Sequence, residues 1–161
     1  METAVEVAAP GQAAELAHRL MPFLVAHGFV DEAVRLLEGV ARRTAGTDTE
    51  LLTRLLLADI ALDRRQFRAA GPESRVLLRK FEGRGERHAA AYALVGLAAC
   101  DLMSGATAGA VKRAAEALGW FEAAGDANGV LQSLITLSGC HLERGEYEAR
   151  RSRCACGGSD W

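Results

Sequence analysis

The feature that most constrains this fold is an internal repeat with a step of 40 residues. The stretch 81–105 and its equivalent 121–145 carry the same Phe, Leu, Cys and Gly residues at the same spacing. Seven matches at a single offset exceed what chance gives in such a mixed stretch, so we expect stacked copies of one structural unit. The matched pairs are Phe81 and Phe121, Gly85 and Gly125, Leu94 and Leu134, Leu97 and Leu137, Cys100 and Cys140, Leu102 and Leu142, and Gly105 and Gly145.

The local pattern at each copy is typical of a helix hairpin. Gly28 is followed five residues later by Ala33, and the same pattern recurs at Gly105 and Ala110. Glycine permits the left-handed turn that ends a helix, and a small alanine lets the second helix pack closely against the first. Arg65 stands at the turn position of the second copy, where it replaces glycine. The scarcity of aromatic residues, 6% of the chain, also favours helices over strands.

Apolar residues recur with helical spacing between these turns, which predicts an all-α chain. Turns are signalled at Gly28, 45–48, Arg65, 83–85, Gly105, Gly125 and Gly145. Pro72 falls inside the fourth helix, where it predicts a kink, or a loop over 69–73 with a later helix start. Pro22 predicts a kink in the first helix. The predicted helices are 12–27, 30–43, 49–63, 66–82, 87–104, 108–124 and 128–144, or about three and a half hairpins.

Four residues in the first copy of the repeat resemble those of a known family. Gly28, Ala33, Leu37 and Val40 stand where a tetratricopeptide repeat places its turn glycine, its small alanine and the inward residues of its second helix. The steps of 37 and 40 residues are longer than the roughly 34 of the standard repeat. Residues 115–149 resemble the helical sensor arrays at the C-terminal end of bacterial signal-transduction ATPase transcriptional regulators, and residues 14–40 are similar to the helices that follow the nucleotide-binding part of such proteins. The resemblance implies a right-handed α-solenoid that binds other proteins.

Organisation along the chain follows from the limits of the repeat. We expect a disordered arm over 1–11, a repeat domain over 12–149 and an atypical, disordered tail over 150–161. Solenoids usually end in a polar capping helix, and the tail lacks one, so the chain is expected to be part of a longer regulator. The alternative is a free-standing adaptor.

Charge and hydropathy argue against several classes of function. The net charge is −2, whereas a nucleic-acid binder normally carries a basic excess, so no direct nucleic-acid contact is expected. The acidic N-terminus lacks the basic start of a secretory signal, and no apolar run approaches the roughly 20 residues that span a bilayer. The four cysteines suggest no disulfide framework. A cytoplasmic location without membrane contact is therefore expected.

The sequence contains no complete catalytic, cofactor-binding or metal-binding motif. The segment 105–112 lacks the Gly-Lys-Ser/Thr of a phosphate loop, and 83–87 fits an inter-repeat loop. Cys154 and Cys156 have no second ligand pair nearby, as structural zinc would require. Cys140 and His141 are neighbours on a helix and point about 100° apart, which does not suit nucleophilic catalysis. We therefore expect a protein that is not an enzyme and needs no cofactor.

The remaining hypothesis is binding of a protein or peptide partner. A stack of helix pairs forms a concave groove lined by the first helix of each pair. Apolar positions there would favour a docked helix, peptide or neighbouring domain, unless the curvature of the array itself closes the groove. A homodimer through the open face of the C-terminal helix is a further expectation. The predicted groove residues are Glu15, His18, Leu55, Asp59, Tyr92, Val95, Gln132 and Ile135.

Overall fold

The computed structural model describes residue 20 and residues 23–156, with side chains to residue 145. Residue 20 and residues 23–26 are helical, and six further helices follow. The described residues contain no β-strand, which confirms the all-α prediction. The six helices are α1 (Val30–Arg43), α2 (Asp48–Asp63), α3 (Phe67–Arg84), α4 (Arg87–Met103), α5 (Thr107–Ala124) and α6 (Ala127–Cys156).

Five turns between helices are built in the same way. At Gly105 the backbone N–H donates to the carbonyl of Leu102 at 3.0 Å, and the next N–H, of Ala106, donates to Asp101 at 2.8 Å. This pair of bonds satisfies the last carbonyls of the helix and requires a left-handed residue at the turn. The predicted turns at these positions are confirmed, and from residue 65 onward they recur every 20 residues. The left-handed residues at these five turns are Gly28 (φ 81°), Arg65 (58°), Gly85 (72°), Gly105 (81°) and Gly125 (69°).

The predicted turn at Gly145 is wrong, because α6 continues through it to Cys156. The residues that follow Gly145 include Glu, Ala and Arg, which are strong helix formers, and one glycine inside a helix costs only about 1 kcal/mol. The helix therefore includes 150–156, which belong to the expected tail, whereas 157–161 lie outside the described residues.

Pro72 does not create a loop, because α3 begins at Phe67 and includes the proline. Pro72 is the sixth residue of α3, so it removes one hydrogen bond, to the carbonyl of Arg68, near the start of the helix. The ring lies on the exposed side, and the N–H groups of Ala69 and Ala70 both donate to the Gln66 carbonyl at 3.0 Å. The kink predicted at Pro22 lies outside the described residues.

The chain divides into two compact units, Met1–Leu77 and Leu78–Trp161. The first unit packs α1 against α2 around a small core, and an ion pair joins α2 to α3. Both nitrogens Nε and Nη2 of Arg54 donate to the Glu73 carboxylate, at 2.5 and 2.8 Å, and Nη1 donates to Glu50 at 3.2 Å. The Glu73 hydrogen bond is the main cause that raises the pKa of Arg54. The core residues are Leu24, Ala33, Leu37, Val40 and Ile60.

In the second unit α4, α5 and α6 pack against one another, and α5 contacts both of the other helices extensively. The buried face of α5 consists of three alanines and a phenylalanine, and its Ala117 and Phe121 share a core cluster with residues of α4 at the α4–α5 interface. Asp101 of α4 and Arg113 of α5 form an ion pair across the same interface. The buried residues of α5 are Ala110, Ala114, Ala117 and Phe121.

Candidate partner-binding surface

The predicted groove residues divide between the two units. Glu15 and His18 lie outside the described residues. In the first unit, Leu55 is half-buried and Asp59, one turn further along the same face of α2, is exposed overall. Partial desolvation of its carboxyl group raises the pKa of Asp59, and the nearby charge of Asp63 adds to this.

Within the second unit, only one of the four predicted groove residues is strongly exposed. Val95 is 7% exposed and belongs to a core cluster with Phe121, so the prediction that it lines an open groove is wrong. The reason is that α5 covers this face of α4. Tyr92 is half-buried against Phe121, with ring centroids 4.7 Å apart, and Gln132 is also half-buried. Ile135, on α6, is 62% exposed.

Asp126 forms a polar link between α4 and the start of α6 that the repeat did not predict. Its Oδ1 accepts from the backbone N–H groups of Asn128 and Gly129 at 3.0 and 3.1 Å, which caps α6. Its Oδ2 lies 2.6 Å from the Tyr92 hydroxyl, which donates to it, and 2.7 Å from Nε2 of His88. The pKa of Asp126 is lowered to about 2, chiefly by the Tyr92 hydrogen bond, then by Gly129 and His88.

This link fixes α6 against α4 and leaves the carboxylate fully engaged. Both oxygens of Asp126 accept hydrogen bonds. Its signal in the sequence is an aspartate directly after the turn glycine, a common N-cap arrangement. Nothing in the sequence identifies the partners of Oδ2, because they come from α4, 34 and 38 residues earlier in the chain. We interpret the cluster as structural, holding α6 in place.

The exposed side of α6 is the main apolar surface of the second unit. Four large side chains there are about half exposed or more, and Ser138 lies exposed between them. Their spacing places all five residues on one face of the helix. We name this surface the α6 stripe, and it comprises Leu131 (56% exposed), Leu134 (46%), Ile135 (62%), Ser138 and Leu142 (68%).

The same positions of the repeat are covered in α4. Forty residues earlier, Ala91, Leu94, Val95 and Ala98 are between 0% and 7% exposed, and Leu102 is partly buried. The repeat predicts equal burial for equivalent positions, but α6 has no helix over this face within the described side chains. Exposure of Leu131, Leu134 and Leu142 could therefore not be found from the repeat alone.

A cleft adjoins one end of the stripe. Its volume is about 440 Å³, and it lies where the end of α4 meets the middle of α6. Met103, 52% exposed, and Leu142 provide much of its apolar wall. The cleft therefore extends the apolar surface beyond the helix face itself. Its lining residues are Leu102, Met103, Gly105, Gly139, Leu142 and Glu143.

Other groups in the described part of the chain point to packing. Cys140 is fully buried, as expected from the repeat, and burial raises the pKa of its thiol. Cys100, its equivalent, is only partly buried. The described residues hold no group of three or more His, Cys, Asp or Glu side chains placed to bind a metal ion. None of the described helices combines the length and apolar character needed to cross a membrane.

Comparison with known proteins adds no relative. The chain matches no family model, no curated protein and no solved structure.

Proposed function

We propose that this chain is a protein–protein interaction module that binds a helix of a protein partner on the α6 stripe. The observation that carries this proposal is the contrast in burial between α6 and α4. Equivalent residues of one repeat are core residues in α4 and are exposed in α6. Soluble proteins rarely expose contiguous apolar surfaces, and those that they do expose often mark binding sites.

The shape and size of the surface support a helical partner. Exposed apolar residues at positions i, i+3, i+4 and i+11 form a straight band, and amphipathic helices bind such bands through their own apolar face. Full burial of a leucine or isoleucine gives about 1.5–3 kcal/mol, so four half-exposed residues give on the order of 4 kcal/mol before the cost of association. The adjoining cleft supplies a second contact, around Met103 and Leu142.

For the wider context, we propose the sensor segment of a bacterial transcriptional regulator. The support is the resemblance of residues 115–149 to the sensor arrays of such regulators and of residues 14–40 to the helices that follow their nucleotide-binding part. A free-standing adaptor is the alternative. An ATPase or DNA-binding domain encoded in the same gene or next to it would favour the regulator, and genes for an unrelated complex there would favour the adaptor.

Site-specific photo-crosslinking tests the interaction proposal. A photoreactive amino acid replaces Ser138, at the centre of the stripe, in the full chain expressed in its host. We expect a crosslink to one defined segment of one protein, identified by peptide mass spectrometry. The additional substitutions Ile135→Gln and Leu142→Gln should abolish it, because they remove apolar contact without touching the core.

Leu52→Gln is the matched control. Leu52 is 43% exposed in the first unit, so this variant changes surface hydropathy by a similar amount elsewhere. The crosslink should survive Leu52→Gln. Absence of a protein crosslink at position 138, or equal loss in the control, would contradict the proposal.

A further inference from the structure

The packing of α5 on α4 shows what kind of helix covers a surface like the α6 stripe. The buried face of α5 has small residues at positions 110, 114 and 117 and an aromatic ring at 121, and residues 117 and 121 share a core cluster with α4. All four are 0% exposed, so the fit is close along the whole face. The opposing face of α4 supplies the larger residues Leu94 and Val95, with the small Ala91, to the same cluster.

Small residues on one helix let the two backbones approach, and larger residues on the other fill the space between them. The α6 stripe keeps the larger residues of the α4 face. Leu134 stands at the position of Leu94, Ile135 at that of Val95, and Leu142 at that of Leu102. Complementary packing on this stripe therefore requires a helix whose contact face consists of small side chains.

One residue of the stripe is larger than its equivalent in α4, and this changes which side chain the covering helix can carry there. Leu131 stands at the position of Ala91, which shares its cluster with Phe121. The added side-chain volume at Leu131 occupies space that the Phe121 ring fills in the α4–α5 pair. The helix that covers the stripe therefore carries a side chain smaller than phenylalanine at the corresponding position.

A second copy of the stripe does not meet this requirement. Two stripes facing each other would place Leu131, Leu134 and Ile135 against residues of similar size. Of the five stripe residues, Ser138 alone is small. Such a pairing lacks the small face that α5 provides, so the stripe favours a different chain over a homodimer.

Resting on the proposed function, we propose that the stripe binds an α-helix of another protein that runs antiparallel to α6 and presents small residues at i, i+4 and i+7. The antiparallel direction follows from the hairpin, since a three-residue turn joins α4 to α5 and reverses the chain. At position i+11 the partner helix carries a medium-sized apolar residue such as leucine.

Two synthetic peptides test this inference by fluorescence anisotropy with the full chain. The first has the sequence of residues 107–124 with Phe121→Leu. The second carries Ala110→Leu, Ala114→Leu and Ala117→Leu in addition, which keeps an apolar face but makes it large. We expect saturable binding of the first peptide, and binding of the second that is at least about 10-fold weaker.

Variants of the protein locate the binding. Ile135→Gln with Leu142→Gln should weaken binding of the first peptide by at least about 10-fold, whereas Leu52→Gln should leave it unchanged. Binding that persists in the double variant would show that the peptide lies elsewhere, for example in place of α5, and would overturn the inference.

The remaining outcomes separate the inference from the proposed function. Equal or tighter binding of the leucine-rich peptide would refute the small-face requirement while leaving helix binding in place. If neither peptide binds, although position 138 still crosslinks to a protein segment, the inference fails and the interaction module stands. If light scattering shows a dimer that Ile135→Gln and Leu142→Gln dissociate, the occupant is a second copy and the inference is wrong.

Discussion

Gly129→Ala should destabilise the protein, although alanine is the better helix former. Gly129 is the third residue of α6, and it is buried against the ring of Phe121. A Cβ built on Gly129 would overlap the ring at Cγ, Cδ1 and Cε1, well inside van der Waals contact. The ring has no free space into which to move. Phe121 is 0% exposed, and the rings of Tyr92 and His88 pack edge-on against it at 4.7 and 5.9 Å.

The expected magnitude follows from two opposing effects. Overpacking of a well-packed core costs about 1–3 kcal/mol, and replacement of a helical glycine by alanine returns about 0.5–1 kcal/mol. The net loss is about 1–2 kcal/mol, which for a chain of this size corresponds to a fall in the melting temperature of about 5 °C. Thermal unfolding followed by circular dichroism at 222 nm measures this fall directly.

Gly119→Ala is the matched control. Gly119 lies in the middle of α5, is exposed, and has nothing within 4 Å of an added Cβ. Only the helix-propensity effect applies there, so Gly119→Ala should raise the melting temperature by about 2 °C. The two Gly→Ala substitutions should therefore have opposite signs.

A double-mutant cycle with Phe121→Leu tests the cause. The smaller leucine makes room for the new methyl group, so Gly129→Ala should cost much less in that background. We expect a coupling of about 1–2 kcal/mol between positions 121 and 129. A stabilising Gly129→Ala, or additivity with Phe121→Leu, would refute the argument that contact with the ring makes residue 129 a glycine.

Three further predictions follow from other parts of the structure. Arg65→Gly should stabilise the chain by up to about 1 kcal/mol in urea unfolding, because Arg65 is left-handed, whereas Gly105→Ala should destabilise it. Because the folded-state pKa of Asp126 is about 2 and its ordinary value is 3.8, its contribution is present above pH 4 and is lost as the pH falls toward 2, so Asp126→Asn should flatten the acid limb of stability against pH. Arg54→Ala should lower the free energy of unfolding by about 1–2 kcal/mol. A double-mutant cycle with Glu73→Ala should show that the effects of the two substitutions are not additive, unlike those at two independent surface positions.

Periodicity determined most of the local structure. Apolar spacing placed five of the six described helices within two residues at each end, because a buried helical face requires residues at i, i+3 and i+4. The turn at Arg65 was predicted without a glycine, since its neighbours match those of Gly28 and Gly105. The end of the last helix was not predicted, because Gly145 looks like a turn residue and nothing local shows that the helix continues.

The predicted site depended on long-range packing, and there the sequence was a poor guide. It placed Ile135 and Val95 on one groove, but α5 buries Val95 and leaves Ile135 exposed. The two residues stand at equivalent positions and have similar side chains, so no property of either residue distinguishes them. The difference comes from the neighbouring helix.

The sequence by itself thus determined that the chain forms helices, where they turn, and which face of each is apolar. These properties depend on residues within a turn or two of one another, and the repeat displays them twice. Only the tertiary structure decided which apolar face is covered. Burial depends on what lies across the interface, so Leu94 is a core residue and Leu134, its equivalent, is part of an open stripe.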